Sequence, residues 1–475
     1  MTKEKFKEII RHLSKLIEGT EFENHVFAVG GCIRDLVMID KEIKDIDLVI
    51  DLENGGIRLA KWLYEKDYTT GEPIIYPTYG TAMFFLNEYP CEAIECVMTR
   101  KEQYKDPNSR NPETEYGTID EDAFRRDFTC NTLYLRISNN KYLSVDDPTG
   151  KGLEDIRNGV IRSTSDPDII FSDDALRMLR AFRFSCRYNW KIEEGTWNGI
   201  VKNVHRLQTV SKERIMNELV SIFMNKSPEI AIRQMVECGL MKYIIPELCE
   251  TVGMEQNKFH DKDVFGHTLD VLSKAVLQDT YFAVVRMAAL LHDIGKVKTR
   301  TVDEKGNVHF YNHESVSTEM AKDILTNLKC SARFISLVCF LVKNHMETKS
   351  WGDDLSKMKM KNLRKLQHKC GTYSKFRQLM ILIDADNKSH ASEHCLPNQV
   401  ENIMKITHEL MIDGTDMFNY ILPITGNDVM KVKNIGPSEQ VKECLDYAMK
   451  LAYNDPTMDR ETMLKHVKGY KFKQK

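Results

Sequence analysis

The sequence predicts an α+β N-terminal part followed by an all-α remainder. Three observations carry this. Short apolar runs of β type are confined to residues before about 150, including Phe27-Ala28-Val29 and residues 46–50 and 81–86. Beyond that point apolar residues recur at helical spacing, as in 175–188 and 214–224. A chain of 475 residues is also too long for one ordinary core, so several domains are expected.

Taken in order, Phe6, Ile9, Ile10, Leu13, Leu16 and Ile17 alternate with Lys, Glu and Arg, which reads as an amphipathic helix and not a signal peptide. Phe27-Ala28-Val29 runs as a strand into Gly30-Gly31. Residues 46–50, 81–86, 93–97 and 131–136 supply four more strands. Residues 103–120 are polar, contain two prolines and read as a mobile loop. The helical part continues to the end, with breaks near Pro246, Pro397 and Pro423. Expected domain bounds are 1–150, 151–250, 251–400 and 401–475. No internal repeat and no low-complexity segment is present.

Hydrophobic residues make up 42% and charged residues 29%, a composition that excludes disordered and membrane classes. No apolar run approaches the roughly 20 residues of a membrane helix. Twelve cysteines occur without a CxxC pair, so reduced cytosolic thiols and a cytoplasmic location are expected, and zinc held by cysteines is not. The net charge of −3 means that a nucleic-acid partner must be met by local basic patches.

Two clusters carry chemistry. In the first, Asp45 and Asp47 are one residue apart at a strand, so they share a face while Ile46, Leu48 and Ile50 point to the core. Paired carboxylates repel unless a cation lies between them, and magnesium favours such oxygen ligands together with substrate phosphates. Gly30 and Gly31 follow a strand and precede a helix, where bare backbone and free N–H groups admit phosphates. Arg34 adds a charged fork.

Strand, Gly-Gly, helix and a strand with DxD together resemble the DNA polymerase beta-like nucleotidyltransferases. Three further motifs narrow the resemblance: Arg125-Arg126-Asp127-Phe128-Thr129 with Asn131; Asp173-Asp174-Ala175-Leu176-Arg177 running on to Phe184; and Ser211-Lys212-Glu213-Arg214-Ile215 with Glu218. They resemble motifs of the class II tRNA nucleotidyltransferases and bacterial poly(A) polymerases.

The resemblance implies a mixed sheet with helices as the catalytic head, then an all-α neck, HD domain and tail. It implies magnesium held by Asp45 and Asp47 in a two-metal mechanism, with Glu95 as a third carboxylate or a mere strand-surface glutamate. Arg126 and Asp127 would lie near the sugar, with a strand-to-helix ion pair as the other reading for Asp127. Asp174 and Arg177, three apart on a helix, would read the base edge of cytosine or adenine without a template, or form a salt bridge within the helix. Asp173 stands where the family has Glu. Arg180 and Arg183 would meet triphosphate or RNA, or solvent.

The second cluster is His267, His292-Asp293, His313, His345 and Asp384, within a helical region. This order resembles the metal-dependent HD phosphohydrolases, with Leu290-Leu291-His292-Asp293-Ile294-Gly295-Lys296 as the most specific part. Gly295 would let the chain turn, and Lys296 would steady a phosphate. Imidazole and carboxylate suit several divalent metals, so the ion's identity stays open. His260 falls outside the pattern. Residues 422–428 resemble the RNA-binding tail of the same family, and the basic run 357–369 reads as an RNA-backbone track or a solvated face.

The expected activity is addition of CCA to tRNA 3′ ends from CTP and ATP, with hydrolysis of a phosphoester at the HD domain. A poly(A) polymerase or a partial C- or A-adding enzyme is the near alternative. An HD phosphohydrolase with an RNA-binding head is the distant one.

Overall fold

The structure is a computed structural model and describes residues 1–39, 41–77, 80–103, 113–138, 144–256, 259–278 and 283–472. Two compact units emerge. The first is Met1–Asn225 with Ile230–Ile244, and the second is Lys226–Glu229 with Ile245–Lys475.

In the first unit the strands up to residue 150 are β1 (Val26–Val29), β2 (Ile46–Ile50), β3 (Ile74–Tyr76), β4 (Thr81–Phe84), β5 (Ile94–Met98), β6 (Arg100–Gln103), β7 (Glu113–Tyr116), β8 (Tyr134–Arg136) and β9 (Val145–Asp146), and a short parallel pair, β10 (Val160–Ile161) with β11 (Lys191–Ile192), departs from the all-helical expectation beyond it. Seven form one sheet in the order β3-β4-β5-β2-β1-β8-β9, while β6 and β7 pair apart. Only β2 and β5 run parallel in the seven-stranded sheet, so it is mixed.

The alternation of β2 sorts its residues. Ile46, Leu48 and Ile50 enter the main core, and Val49 joins Phe27, Val29, Ala123 and Tyr134 on the other face. The N-terminal helix Lys3–Ile17 is capped by Thr2 and buries Phe6, Ile9, Ile10, Leu13 and Ile17. Each such side chain contributes about 1.5–3 kcal/mol on burial. Strand β7 and the helix Ile119–Phe124 order the end of the segment read as a loop, and residues 104–112 lie outside the described residues. Helices Pro167–Asp173, Leu176–Tyr188, Glu194–Asn203 and Lys212–Phe223 complete this unit, and the second packs on the fourth.

The second unit is mainly helical. Helices Val264–Gln278, Ala283–Leu291, His313–Asn327, Ala332–Asn344 and Tyr373–Asn387 pack together. One departure from the all-helical expectation is a hairpin of Arg300–Val302 with Val308–Phe310. Toward the C-terminus, Met417, Ile424, Val429, Cys444, Ala448, Ala452, Met463 and Val467 form a separate small core. Among the described residues no helix is long and apolar enough to cross a membrane.

Candidate active site and metal centre

A cleft of about 480 Å³ in the first unit is lined by Gly30, Gly31, Arg34, Asp45, Asp47, Arg126, Asp127, Asn131, Asp174, Arg177, Arg180, Arg183, Arg187 and Arg214. Seven arginines face four aspartates there, so the cleft carries an excess of positive charge suited to a polyanion.

Asp45 is exposed, just ahead of β2, and Asp47 is half-buried within it. Glu95 is the register partner of Asp47 on parallel β5 and lines a smaller adjoining cavity with it. Burial, then Glu95, pushes the Asp47 carboxyl up to about 6; Asp45 adds to the rise, and Arg126 and Arg34 oppose it. Crowded oxygen donors of this kind fit a hard divalent cation.

Gly30 has φ +76°, a conformation that favours glycine, and a side chain there would stand 3.5 Å from Arg126 Nη1. Arg34 is buried. Its Nε donates to Asp35 Oδ1 (2.9 Å) and its Nη1 to Asn131 Oδ1 (2.6 Å), with the guanidinium 4.7 Å from the Tyr188 ring centre. Arg126 Nε and Nη2 donate to Asp122 Oδ2 at 3.0 and 2.8 Å. Burial opposes the Asp122 charge, but Arg126 and Arg125 hold that carboxyl far below its ordinary value.

Asp127 Oδ2 accepts from Arg180 Nε at 2.7 Å, while Oδ1 accepts from Phe128 N at 2.8 Å and Asn131 Nδ2 at 2.9 Å. The expected ion pair to the helix is present, but Asp127 reaches Arg180 from a bend after the helix Ile119–Phe124 and not from a strand. Arg183 pairs with Glu218 (2.9 Å).

Asp174 departs from the sequence expectation. The helix ends at Asp173 and restarts at Leu176, with Asp174 extended between them (φ −147°). Asp174 is thus not a helical neighbour of Arg177. Its Oδ1 accepts from Leu176 N (3.1 Å) and its Oδ2 from Arg214 Nη2 (2.7 Å). Arg177 Nη1 donates to Ile170 O at 3.2 Å and lies 4.0 Å from Asp173. Both side chains still line the one cleft. Sequence reading did not single out Asn131, Arg187 or Arg214 as site residues, although Asn131 and Arg214 stand inside the quoted motifs.

In the second unit a cavity of about 710 Å³ is lined by Asp293, Lys296, His313, His345, Lys349, Asp386, His390 and His260, among others. Ligand atoms of His267, His292 and Asp293 lie within 4.8 Å of one another, and so do those of Asp293, His313 and His345. Asp384 does not join them: Lys388 Nζ donates to its Oδ2 (2.8 Å). The carboxylate beside His267 is Asp386, with Oδ1 3.1 Å from Nε2. Two residues along a helix turn about 200°, so Asp384 and Asp386 occupy opposite faces. His390, one helical turn after Asp386, was the available signal.

The imidazoles share one orientation. Nδ1 of His267, His292, His313 and His345 stands 3.2, 2.9, 2.9 and 2.7 Å from a backbone carbonyl oxygen. A carbonyl only accepts, so Nδ1 donates and Nε2 keeps its lone pair when the ring is neutral. Burial lowers His267 and takes His345 down to about 3, which keeps both neutral. For His292 burial is outweighed by Asp293, and the ring is raised. Nε2 of His267 and of His292 are buried without a hydrogen-bond partner. Lone pairs aimed at carboxylates and anchored from behind are the donor chemistry of a divalent metal site.

Gly295 serves this site by close packing, not by a turn conformation. Its φ is an ordinary −69°, but a side chain would stand 2.5 Å from Ser317 N and 2.6 Å from His313 O.

Three segments of the chain match known protein families. Residues 26–162 match the poly A polymerase head domain, 189–251 the probable RNA and SrmB-binding site of polymerase A, and 264–375 the HD domain. The chain is 31% identical over 241 residues to a CCA-adding enzyme of Ligilactobacillus salivarius, covering 50% of this chain and 55% of that one. It is 31% identical over 235 residues to an A-adding tRNA nucleotidyltransferase of Deinococcus radiodurans, covering 48% and 52%. The chain thus spans about half the length of the curated relatives it matches. The fold is similar to that of the Bacillus stearothermophilus CCA-adding enzyme in complex with CTP, with a TM-score of 0.66, 18% identity, and coverage of 97% of this chain and 96% of that one. The chain thus carries, in this order, segments that match a poly A polymerase head domain, a polymerase A RNA-binding segment and an HD domain.

Proposed function

We propose that the protein is a template-independent RNA nucleotidyltransferase that adds CCA to tRNA 3′ ends from CTP and ATP in the cytoplasm. The observation that carries this is one cleft holding Asp45 and Asp47 together with Asp174 and Arg177, with arginines among them. The RNA 3′-oxygen forms a bond to the α-phosphorus, the α–β bridge breaks, and pyrophosphate leaves. Asp45 and Asp47, with Glu95 beside them, would hold magnesium, which would supply neutralisation of the triphosphate and a more acidic 3′-hydroxyl. The arginines of the cleft hold the phosphates. Asp174 accepts and Arg177 donates, a pair able to match the edge of cytosine or adenine. Arg214 donates to Asp174 Oδ2 and holds the acceptor in place. The helical tail after residue 400 binds the RNA.

The HD cavity is proposed to be a phosphohydrolase site, with a divalent ion held by His267, His292, Asp293, His313 and His345, and with Asp386 in the role expected of Asp384. A partial, A-adding activity is the second reading, because an A-adding relative matches at the same 31% identity as a CCA-adding one.

One assay separates the readings. tRNA lacking its terminal trinucleotide is incubated with labelled CTP and ATP, singly and together. Two C and one A support CCA addition. A alone, added only after C-C is supplied, supports the second reading. Long A tails or no extension refute both.

A further inference from the structure

Two lysines in the HD cavity stand where the metal reading leaves charge unassigned. Lys296 Nζ lies 2.7 Å from Asp293 Oδ2 and donates to Gln256 Oε1 at 2.6 Å. Lys349 Nζ lies 2.8 Å from Asp386 Oδ2 and 3.2 Å from His390 Nε2. The His390 contact is set by its ring. Nδ1 donates to the Asp386 carbonyl at 2.7 Å, so Nε2 accepts from the ammonium. An ammonium has three N–H donors. Among the described residues each lysine has two such polar partners, which leaves a third N–H toward the cavity that both line.

Charge arithmetic says what that ligand is. Asp293 and Asp386 carry two negative charges, Lys296 and Lys349 two positive ones, and Lys357 and Glu393, which also line the cavity, add one of each sign. These cancel, so each divalent ion added leaves two positive charges in a buried setting. A phosphomonoester, close to doubly charged at neutral pH, cancels one ion; a diester, singly charged, does not. His260 reinforces the polar wall: its Nδ1 is buried without a hydrogen-bond partner, and its ring centre is 4.6 Å from that of His390.

We propose that Lys349, positioned by His390 and Asp386, anchors the phosphoryl oxygens of the HD substrate opposite Lys296, and that the two lysines select a dianionic phosphomonoester over a diester. This rests on the metal reading of the HD cavity.

The test uses the full chain with manganese in an Asp45→Asn, Asp47→Asn background, called wild type for the HD cavity below, and phosphate bound by the same protein without metal is subtracted as head binding. Bound metal is measured by mass spectrometry. Inorganic phosphate and dimethyl phosphate, the monoanionic diester probe, are titrated calorimetrically at pH 8. The wild type is expected to bind phosphate at least tenfold tighter than dimethyl phosphate. Lys349→Gln is expected to keep its manganese and lose at least tenfold in phosphate affinity, and Lys349→Arg to recover most of it. A Lys349→Gln protein with manganese and unchanged phosphate affinity overturns the assignment. So does one that loses manganese, because Lys349 then acts only through Asp386. Equal affinity for the two probes overturns the selectivity. A wild type that takes up no manganese overturns the metal reading itself.

Discussion

Replacing Asp127 by asparagine removes one charge from a buried ion pair while keeping the shape of the side chain. The Asp127 carboxyl titrates at about 2 against an ordinary 3.8. Burial works against its ionisation, and Arg180 with the Asn131 amide more than offsets that. At about 1.4 kcal/mol per pKa unit, the gap corresponds to about 2–3 kcal/mol at neutral pH. Asparagine would also turn an amide N–H₂ toward Arg180, which raises the cost toward the 3–5 kcal/mol typical of a broken buried pair. For a unit of this size about 2–4 °C is lost per kcal/mol, so the first unit should melt about 6–20 °C lower at pH 7. The pH dependence is specific. Because the folded carboxyl titrates below the unfolded one, its contribution is complete above about pH 4 and disappears as pH falls through about 2. Scanning calorimetry of both proteins from pH 7 down to the acid limit of folding measures it. An unchanged melting temperature at pH 7, or a gap that stays constant below pH 4, refutes the argument.

Asp47→Asn should lower nucleotide incorporation by about 10²–10³-fold or more, yet leave the melting temperature unchanged or raised, because it relieves the crowding with Glu95 and Asp45; labelled-nucleotide extension and calorimetry read the two effects. Asp386→Asn should reduce the manganese bound by the HD cavity, while Asp384→Asn should leave it intact, since Asp384 pairs with Lys388 on the other face of the helix. Gly295→Ala should cost about 1–3 kcal/mol by overpacking against His313 and Ser317, and should lower metal content because His313 carries one of the ligand atoms.

What the sequence made legible follows from burial. β1 and β2 are apolar because both sides of their sheet are covered, so their patterns stand out. β3 has exposed Ile74 and Tyr76, and β6 and β7 read Arg-Lys-Glu-Gln and Glu-Thr-Glu-Tyr, so no apolar alternation announces them. The hairpin from Arg300 to Phe310 is missed for the same reason, its first strand being exposed throughout. In the sites, spacing misled where a helix was assumed continuous. Asp174 and Arg177 suit an i, i+3 pair, but the chain breaks between Asp173 and Leu176, and Asp174 meets Arg214 from a different helix. Asp384 and Asp386 are chemically identical, and only the helix phase relative to His267 chooses between them.

The two sites treat charge in opposite ways. In the head cleft the positive charge comes from arginines, whose guanidinium groups stay protonated and are fixed by carboxylates or carbonyls such as Asp127, Asp122 and Ile170. That cleft can receive a triphosphate before or together with its metal. In the HD cavity the positive charges sit directly on Asp293 and Asp386, and the residues cancel. An anion gains little there until a cation has entered. Order of binding should therefore differ between the sites, with metal required first in the HD cavity and not in the head. Phosphate titrated into chelator-treated protein should then bind at the head cleft alone, and Asp293→Asn should leave that binding unchanged.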